Sequence, residues 1–231
     1  MKTIGLIGGM SWESSIEYYR ILNETVKARL DGFHSAKCVM FSVDFAEIEP
    51  LQHGGKWDEA ARALIAVAKG LEAGGAEFVV LCTNTMHKVA DEIERHISIP
   101  LLHIADATAR AIKARGLKKV GLLGTNFTME QDFCKGRIVQ KHGIGVLIPG
   151  RDDRQIVHRV IYDELCLGEV SESSREQYVR IIEDLARQGA EAVVLGCTEI
   201  GLLVRDEDSR LPLFDTTKIH ATAAVEYALQ K

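Results

Sequence analysis

A chain of 231 residues, 46% hydrophobic and 26% charged, with a mean hydropathy of zero, has enough apolar material for one large α/β domain or two smaller ones. This excludes a disulfide-stapled peptide, a disordered segment and a membrane-embedded chain. Lys and Arg number 28 against 33 Asp and Glu, a formal net charge of −5, and no basic stripe is present to neutralise phosphates, so no nucleic-acid partner is expected. Five cysteines without a CxxC pair, an N-terminus unlike a secretory leader and no apolar run near the roughly 20 residues needed to span a bilayer predict free thiols in a reducing cytoplasm and no membrane partner.

In chain order, short apolar runs of β type alternate with segments of helical period, which predicts βα units and parallel sheets. The first strand is expected at Thr3 to Gly8. It leads into a helix whose apolar face reads Ile16, Tyr19, Leu22, Val26 and Leu30. A strand near Cys38 to Asp44 follows, then a helix marked by Trp57, Ala60, Ala61, Leu64, Ile65, Ala68 and Leu71. Further strands are predicted at Glu77 to Thr83, Leu101 to Ile104, Lys118 to Gly124, Gly145 to Pro149, Glu191 to Cys197 and Leu213 to Asp215. Thr128 to Gln131 and Ser173 to Glu176 read as capping boxes, Arg151 to Arg154 as a hydrated helix start and Gly189 as a helix terminator.

The two halves align on one another. Gly5-Leu6-Ile7-Gly8-Gly9 matches Gly121-Leu122-Leu123-Gly124-Thr125 at an offset of 116 residues, and Gly75 to Leu81 matches Gly189 to Leu195 at 114. Ile99-Pro100-Leu101-Leu102 matches Leu211-Pro212-Leu213-Phe214 at 112. A duplicated four-stranded βα unit explains this drift economically, and it predicts two facing units related by a pseudo-twofold axis. Ligands of open parallel sheets bind beyond the carboxyl ends of the strands. The segments Gly8 to Ser11, Thr83 to Thr85, Gly124 to Asn126 and Cys197 to Glu199 fall there, and facing halves would gather them around one cleft suited to a small carboxylate-bearing anion.

The same alignment sets Thr83 opposite Cys197. Two groups flanking a carbon from opposite sides are what racemisation or epimerisation needs, one removing a proton and the other returning it. By itself Cys197 also reads as a buried structural thiol, and Cys38, Cys134 and Cys166 have no motif context. Gly5-x-x-Gly8-Gly9 fits neither nucleotide-loop pattern, no histidine pair has metal-ligand spacing, and His87 with Asp91 reads as a solvated or capping pair.

The motifs Gly5 to Ser14, Thr83-Asn84-Thr85-Met86-His87 and Gly196-Cys197-Thr198-Glu199-Ile200 together resemble the aspartate/glutamate racemase superfamily, amino-acid racemases that work without pyridoxal phosphate. The resemblance covers essentially the whole chain. Glu199, where the glutamate racemase branch usually carries His, makes it more similar to the aspartate branch, and within that to the enterobacterial broad-specificity or L-aspartate/glutamate-specific members. It implies two flavodoxin-like α/β subdomains, residues 1–100 plus 211–231 and residues 101–210, each with a four-stranded parallel sheet flanked by helices. It further implies an isomerase acting on aspartate, glutamate or a broader set of amino acids, with no cofactor and no metal.

Family members carry two catalytic cysteines. Here only Cys197 matches, Thr83 standing where the first would be. Cys197 is therefore expected as the base, its pKa lowered by N–H groups at a helix start, and Thr83 as donor or relay. Cys82 should point away by strand alternation, and Cys166 occupies the place of a lysine in the family's aspartate racemases. Asn84, Thr85, Thr125 and Thr198, with Met10, Gln52 and Glu199, are the expected substrate-binding residues. A homodimer is compatible with the sequence. Two further readings remain open at this point: a single-cysteine decarboxylase or isomerase of a small dicarboxylate, and a non-catalytic amino-acid binding protein.

Overall fold

The computed structural model describes residues 1–230. It divides the chain into two compact units, Met1–His103 with the chain from His220 onward, and Ile104–Ile219. The divisions differ from those expected at 100/101 and 210/211. Strand β4 (Leu101–Leu102) pairs with the first sheet and β8 (Leu213–Asp215) with the second, so residues 101–103 stay with the first unit and 211–219 with the second.

The first unit holds a parallel sheet of order β2-β1-β3-β4, with β1 (Ile4–Gly8), β2 (Cys38–Ser42) and β3 (Phe78–Leu81). Ile4 of β1 lies between Cys38 and Phe78, which sets the register. Strand β1 is followed by α1 (Trp12–Leu30), β2 by α2 (Phe45–His53) and α3 (Trp57–Ala73), and β3 by a short 3₁₀ turn and α4 (Ala90–Glu94). The central strands are covered on both faces, which is why they read as unbroken apolar runs. Ile4, Leu6, Phe78 and Val80 pack with residues of α1 and of the C-terminal helix, whereas Ile7, Val79 and Leu81 pack with α2 and α3.

The second unit repeats the arrangement with order β6-β5-β7-β8, from β5 (Lys119–Gly124), β6 (Gly145–Leu147), β7 (Ala192–Gly196) and β8. Its helices are α5 (Ile104–Ala114), α6 (Asn126–Glu130), α7 (Lys135–His142), α8 (Arg151–Asp163), α9 (Glu172–Arg187) and α10 (Ile200–Leu203), and the unit boundary falls within α11 (Thr216–Leu229). Leu123, Val193 and Leu195 pack with α8 and α9, and Val120, Leu122 and Val194 with α5 and α7. Asp106 of α5, only 8% exposed, ties that helix to α7. It accepts two bonds from the Arg137 guanidinium (3.0 and 2.9 Å), one from Lys141 Nζ (2.7 Å) and one from His142 Nε2 (2.8 Å). Burial pushes its pKa up, but these donors together outweigh it and hold the carboxyl well below the usual carboxylate range.

Three local expectations are corrected. Helix α1 seats itself through Ser14, Ser15, Tyr18, Ile21, Leu22 and Val26, leaving Ile16, Tyr19 and Leu30 exposed. The buried hydroxyls fit because both donate to Ser11 O, at 3.1 and 2.9 Å. Neither capping box forms where expected, since α6 is capped by Thr125 and α9 starts after Ser171. Thr128 is instead the residue whose N–H the cap binds, and Ser174 Oγ donates to the Glu164 carboxylate. Among the described residues no helix is long and apolar enough to cross a membrane.

Candidate active site

In the first unit the turn after β1 is built around Gly9. Its φ is +89°, and a Cβ there would sit 2.1 Å from Val43 O, so no side chain fits. Gly9 N–H donates to Ser15 Oγ at 2.8 Å, and Val43 N–H to Gly8 O at 3.0 Å. Met10 is thereby folded inward, packed with Ile48, Leu81 and Met86. Gln52, buried near the end of α2, donates from Nε2 to Met86 Sδ at 3.0 Å. These contacts place Met10 and Gln52 in one neighbourhood of the unit.

Beyond β3 the chain carries Thr83, Asn84 and Thr85, all buried. Cys82 is turned into the packing of Ile4, Leu6 and Tyr18, as strand alternation required, and burial pushes its thiol well above the ordinary range. Asn84 O accepts the N–H of His87 at 3.1 Å, which opens the 3₁₀ turn Thr85–Val89.

In the second unit β5 and β7 end on glycines that approach closely. A Cβ on Gly124 would lie 2.7 Å from Gly196 O. Thr125 follows, its Oγ1 accepting the Thr128 N–H at 3.3 Å. After Gly196 come Cys197, Thr198 and Glu199, all buried. Glu199 Oε2 accepts from the Cys197 thiol at 2.9 Å and from Thr198 Oγ1 at 2.8 Å. The turn is pinned from the far end of the unit, where Thr216 Oγ1 donates to Leu195 O at 2.7 Å and Thr217 Oγ1 to Thr198 O at 3.3 Å.

These two threonines were not singled out from the sequence. Their signal was present: Asp215, ending β8, accepts the N–H groups of Thr217 and Lys218 at 2.8 and 3.2 Å, the pattern of an Asp that caps a helix start.

The expected depression of the Cys197 pKa is reversed. Burial pushes the thiol well above its ordinary range, the Glu199 carboxylate and then Cys166 add to the rise, and the Glu199 backbone N–H opposes it only weakly. The thiol therefore rests protonated and donates to Glu199 Oε2. Glu199 is poised to accept the thiol proton, and Thr198's hydroxyl proton is committed to the same oxygen. Cys134, by contrast, is a buried thiol of the packing between α5 and α7, pushed up to about 12 by burial. Among the described residues no group of three or more His, Cys, Asp or Glu side chains is arranged to hold a metal ion.

Two parallel four-stranded sheets with hydroxyl, amide and thiol groups on the turns beyond their carboxyl ends define the general class of a small-molecule α/β enzyme. Residues 7–224 match the Asp/Glu/Hydantoin racemase family, and the chain belongs to it. It is an isomerase, an amino-acid racemase by family. The chain is 58% identical to an Asp/Glu racemase candidate from Yersinia pestis whose crystal structure superimposes with a TM-score of 0.92, covering 100% of both chains. An aspartate racemase homologue from Pyrococcus horikoshii is 34% identical with a TM-score of 0.86, again over 100% of each chain. The broad specificity amino-acid racemase RacX of Bacillus subtilis is 23% identical over 184 residues, 76% of this chain and 74% of its own length.

Proposed function

We propose that the chain racemises aspartate or glutamate, or a broader set of amino acids including them, without pyridoxal phosphate or metal. Glu199 takes the Cys197 thiol proton, the thiolate removes the Cα proton from one face, and the Thr83 hydroxyl returns a proton to the other. The substrate thus loses one proton and gains one. Exchange with water then resets Glu199 and Thr83. The observation that carries this reading is the Cys197–Glu199 hydrogen bond, which pairs a nucleophilic or basic sulfur with a built-in proton acceptor.

N–H and side-chain donors of Asn84, Thr85 and Thr125 and the backbone N–H of Thr198, whose hydroxyl is held by Glu199, hold the substrate carboxylates, with Met10 and Gln52 as wall residues. Glu199 is better suited to the thiol than to the substrate. An ionised carboxylate donates nothing and repels a second one.

The test is proton NMR of L- and D-aspartate and L- and D-glutamate in deuterated water with the metal-stripped protein. Loss of the Cα signal together with appearance of the other enantiomer is the expected result. Release of carbon dioxide, or binding without exchange, overturns it.

A further inference from the structure

The first unit buries three histidines together behind Thr83. His87 lies in the turn after Thr83, His103 follows β4 and His220 sits on α11. The ring centroid of His87 is 4.5 Å from that of His103 and 5.7 Å from that of His220. His220 Nε2 is 2.7 Å from Leu102 O, and its Nδ1 is 2.9 Å from the Tyr18 hydroxyl. A carbonyl only accepts, so Nε2 carries the hydrogen and Nδ1 of the neutral ring accepts the Tyr18 O–H. Both nitrogens are engaged, which leaves no lone pair for a metal.

The same logic fixes His87 in the opposite sense. Its Nδ1 is 2.7 Å from Thr83 O, so Nδ1 carries the hydrogen and donates to that carbonyl. In an α-helix the backbone N–H four residues on would fill this position. Here that N–H is the one His87 gives to Asn84 O, and the His87 ring supplies the donor for Thr83 O instead. The orientation of the peptide after Thr83 therefore depends on a side chain.

We propose that His87 is a positioning residue for proton return by Thr83: its Nδ1–H anchors the Thr83 carbonyl and so directs the Thr83 hydroxyl, while His103, His220 and Tyr18 form the buried scaffold that holds the ring. His87 moves no proton itself. This role rests on the racemase reading above. Loss of the Nδ1 donor frees the peptide to rotate, and a displacement near 1 Å at a reacting group is enough to slow its step by about a hundredfold. Cα abstraction at Cys197 does not depend on that anchor.

The experiment compares wild type with His87→Asn, His87→Gln and His87→Leu in deuterated water, starting from L-aspartate and L-glutamate. It reads the ratio of D enantiomer formed to deuterium incorporated at Cα. The Asn Nδ2 reproduces the position of Nδ1, whereas Gln and Leu do not. The ratio is expected to fall at least about tenfold in the Gln and Leu variants and to stay within about threefold of wild type in the Asn variant. Equal ratios in all variants, or rescue by Gln as good as by Asn, overturns the role.

Long-range ¹⁵N–¹H spectra of histidine-labelled wild type give a readout that needs no variant to fold. His87 is expected as the Nδ1–H tautomer and His220 as Nε2–H, and an Nε2–H His87 defeats the proposal. Wild type without any exchange sinks the racemase reading and this role with it. Exchange in wild type with unchanged ratios across the variants sinks this role alone.

Discussion

The Cys197 thiol lies 2.9 Å from Glu199 Oε2, and because an ionised carboxylate can only accept, the thiol is the donor. Glu199 therefore has two opposed effects: its charge raises the thiol pKa, and its oxygen is the place the proton goes. Glu199→Gln separates them. The thiol of that variant should titrate at lower pH than in wild type, followed by thiolate absorbance or by alkylation rate against pH. Exchange at Cα from L-aspartate should nonetheless fall by about 10² or more, the usual contribution of a proton acceptor. Undiminished exchange in Glu199→Gln would show that another group takes the proton.

Cys197→Ser keeps a hydroxyl donor beside Glu199 and a side chain of similar size, so the fold should be preserved by circular dichroism. Deuterium exchange from both enantiomers should become undetectable, since an alcohol is a far weaker acid than a thiol and a poor source of base. Because Glu199 receives the thiol proton inside the pair, the reactive form holds as many protons as the resting one. The wild-type rate should therefore be flat from about pH 7 up to the alkaline range where the thiol, pushed up by burial and then by Glu199, loses its proton to solvent. A steady climb in rate between about pH 7 and 9 would mean that the thiol proton leaves to solvent and not to Glu199.

Most of the architecture was legible in the sequence. Among the described residues all eight strands fall within the predicted runs. The central strands β1, β3, β5 and β7 are buried on both faces and so leave almost no polar interruption, whereas the edge strand β2 is half exposed and is marked by its apolar, β-branched and aromatic residues. The face of α1 was not legible. Ile16 and Tyr19 are 52% and 55% exposed, while Ser14 and Ser15 are buried because their hydroxyls are satisfied within the Gly9 turn. Apolar identity cannot reveal a serine whose partner is local backbone. At the site, the internal repeat located the turns carrying Thr83 and Cys197. The direction of the thiol pKa was missed because it depends first on how completely Cys197 is buried and then on the Glu199 carboxylate turning back to its thiol, and spacing alone states neither.

Asp106 offers a stability test independent of catalysis. Its folded pKa is depressed, so its contribution is present above the unfolded value of about 3.9 and is lost as pH falls below it toward the folded value. Asp106→Asn leaves Arg137 and Lys141 without their carboxylate. Breaking a buried pair costs about 3–5 kcal/mol, and the 54% exposure of the Lys141 side chain lowers that to about 2–3 kcal/mol at pH 7. The corresponding drop in Tm is roughly 5–10 °C. The gap between the urea midpoints of wild type and variant should narrow steadily below about pH 4. A gap independent of pH would mean that the ion cluster contributes nothing through its charge.

The last prediction concerns direction. If Cys197 and Thr83 act on opposite faces of Cα, the enantiomer presenting its proton to Cys197 meets a base with an acceptor behind it. The other enantiomer presents its proton to an alcohol. Exchange should therefore be strongly unequal and net racemisation slow, and the resemblance to the L-aspartate/glutamate-specific members leads us to expect the L form as the better substrate. The equilibrium constant between enantiomers is unity, so the asymmetry lies in binding and in the two proton-transfer barriers, where each factor of ten is about 1.4 kcal/mol. Thr83→Cys introduces a second thiol at little change in size. It should raise deuterium exchange from the D enantiomer by at least about tenfold, the lower edge of what a positioned base contributes being larger still. The gain is limited by burial, because Thr83 is only 6% exposed and a thiol there has no carboxylate two residues on: Thr85 stands where Glu199 follows Cys197. Thr83→Cys combined with Thr85→Glu copies the Cys197–Glu199 pair onto the first unit, and it should exceed the single variant in D-enantiomer exchange at neutral pH. Unchanged exchange from both enantiomers in Thr83→Cys and in the double variant would show that residue 83 does not face Cα, and the two-sided mechanism would have to be abandoned.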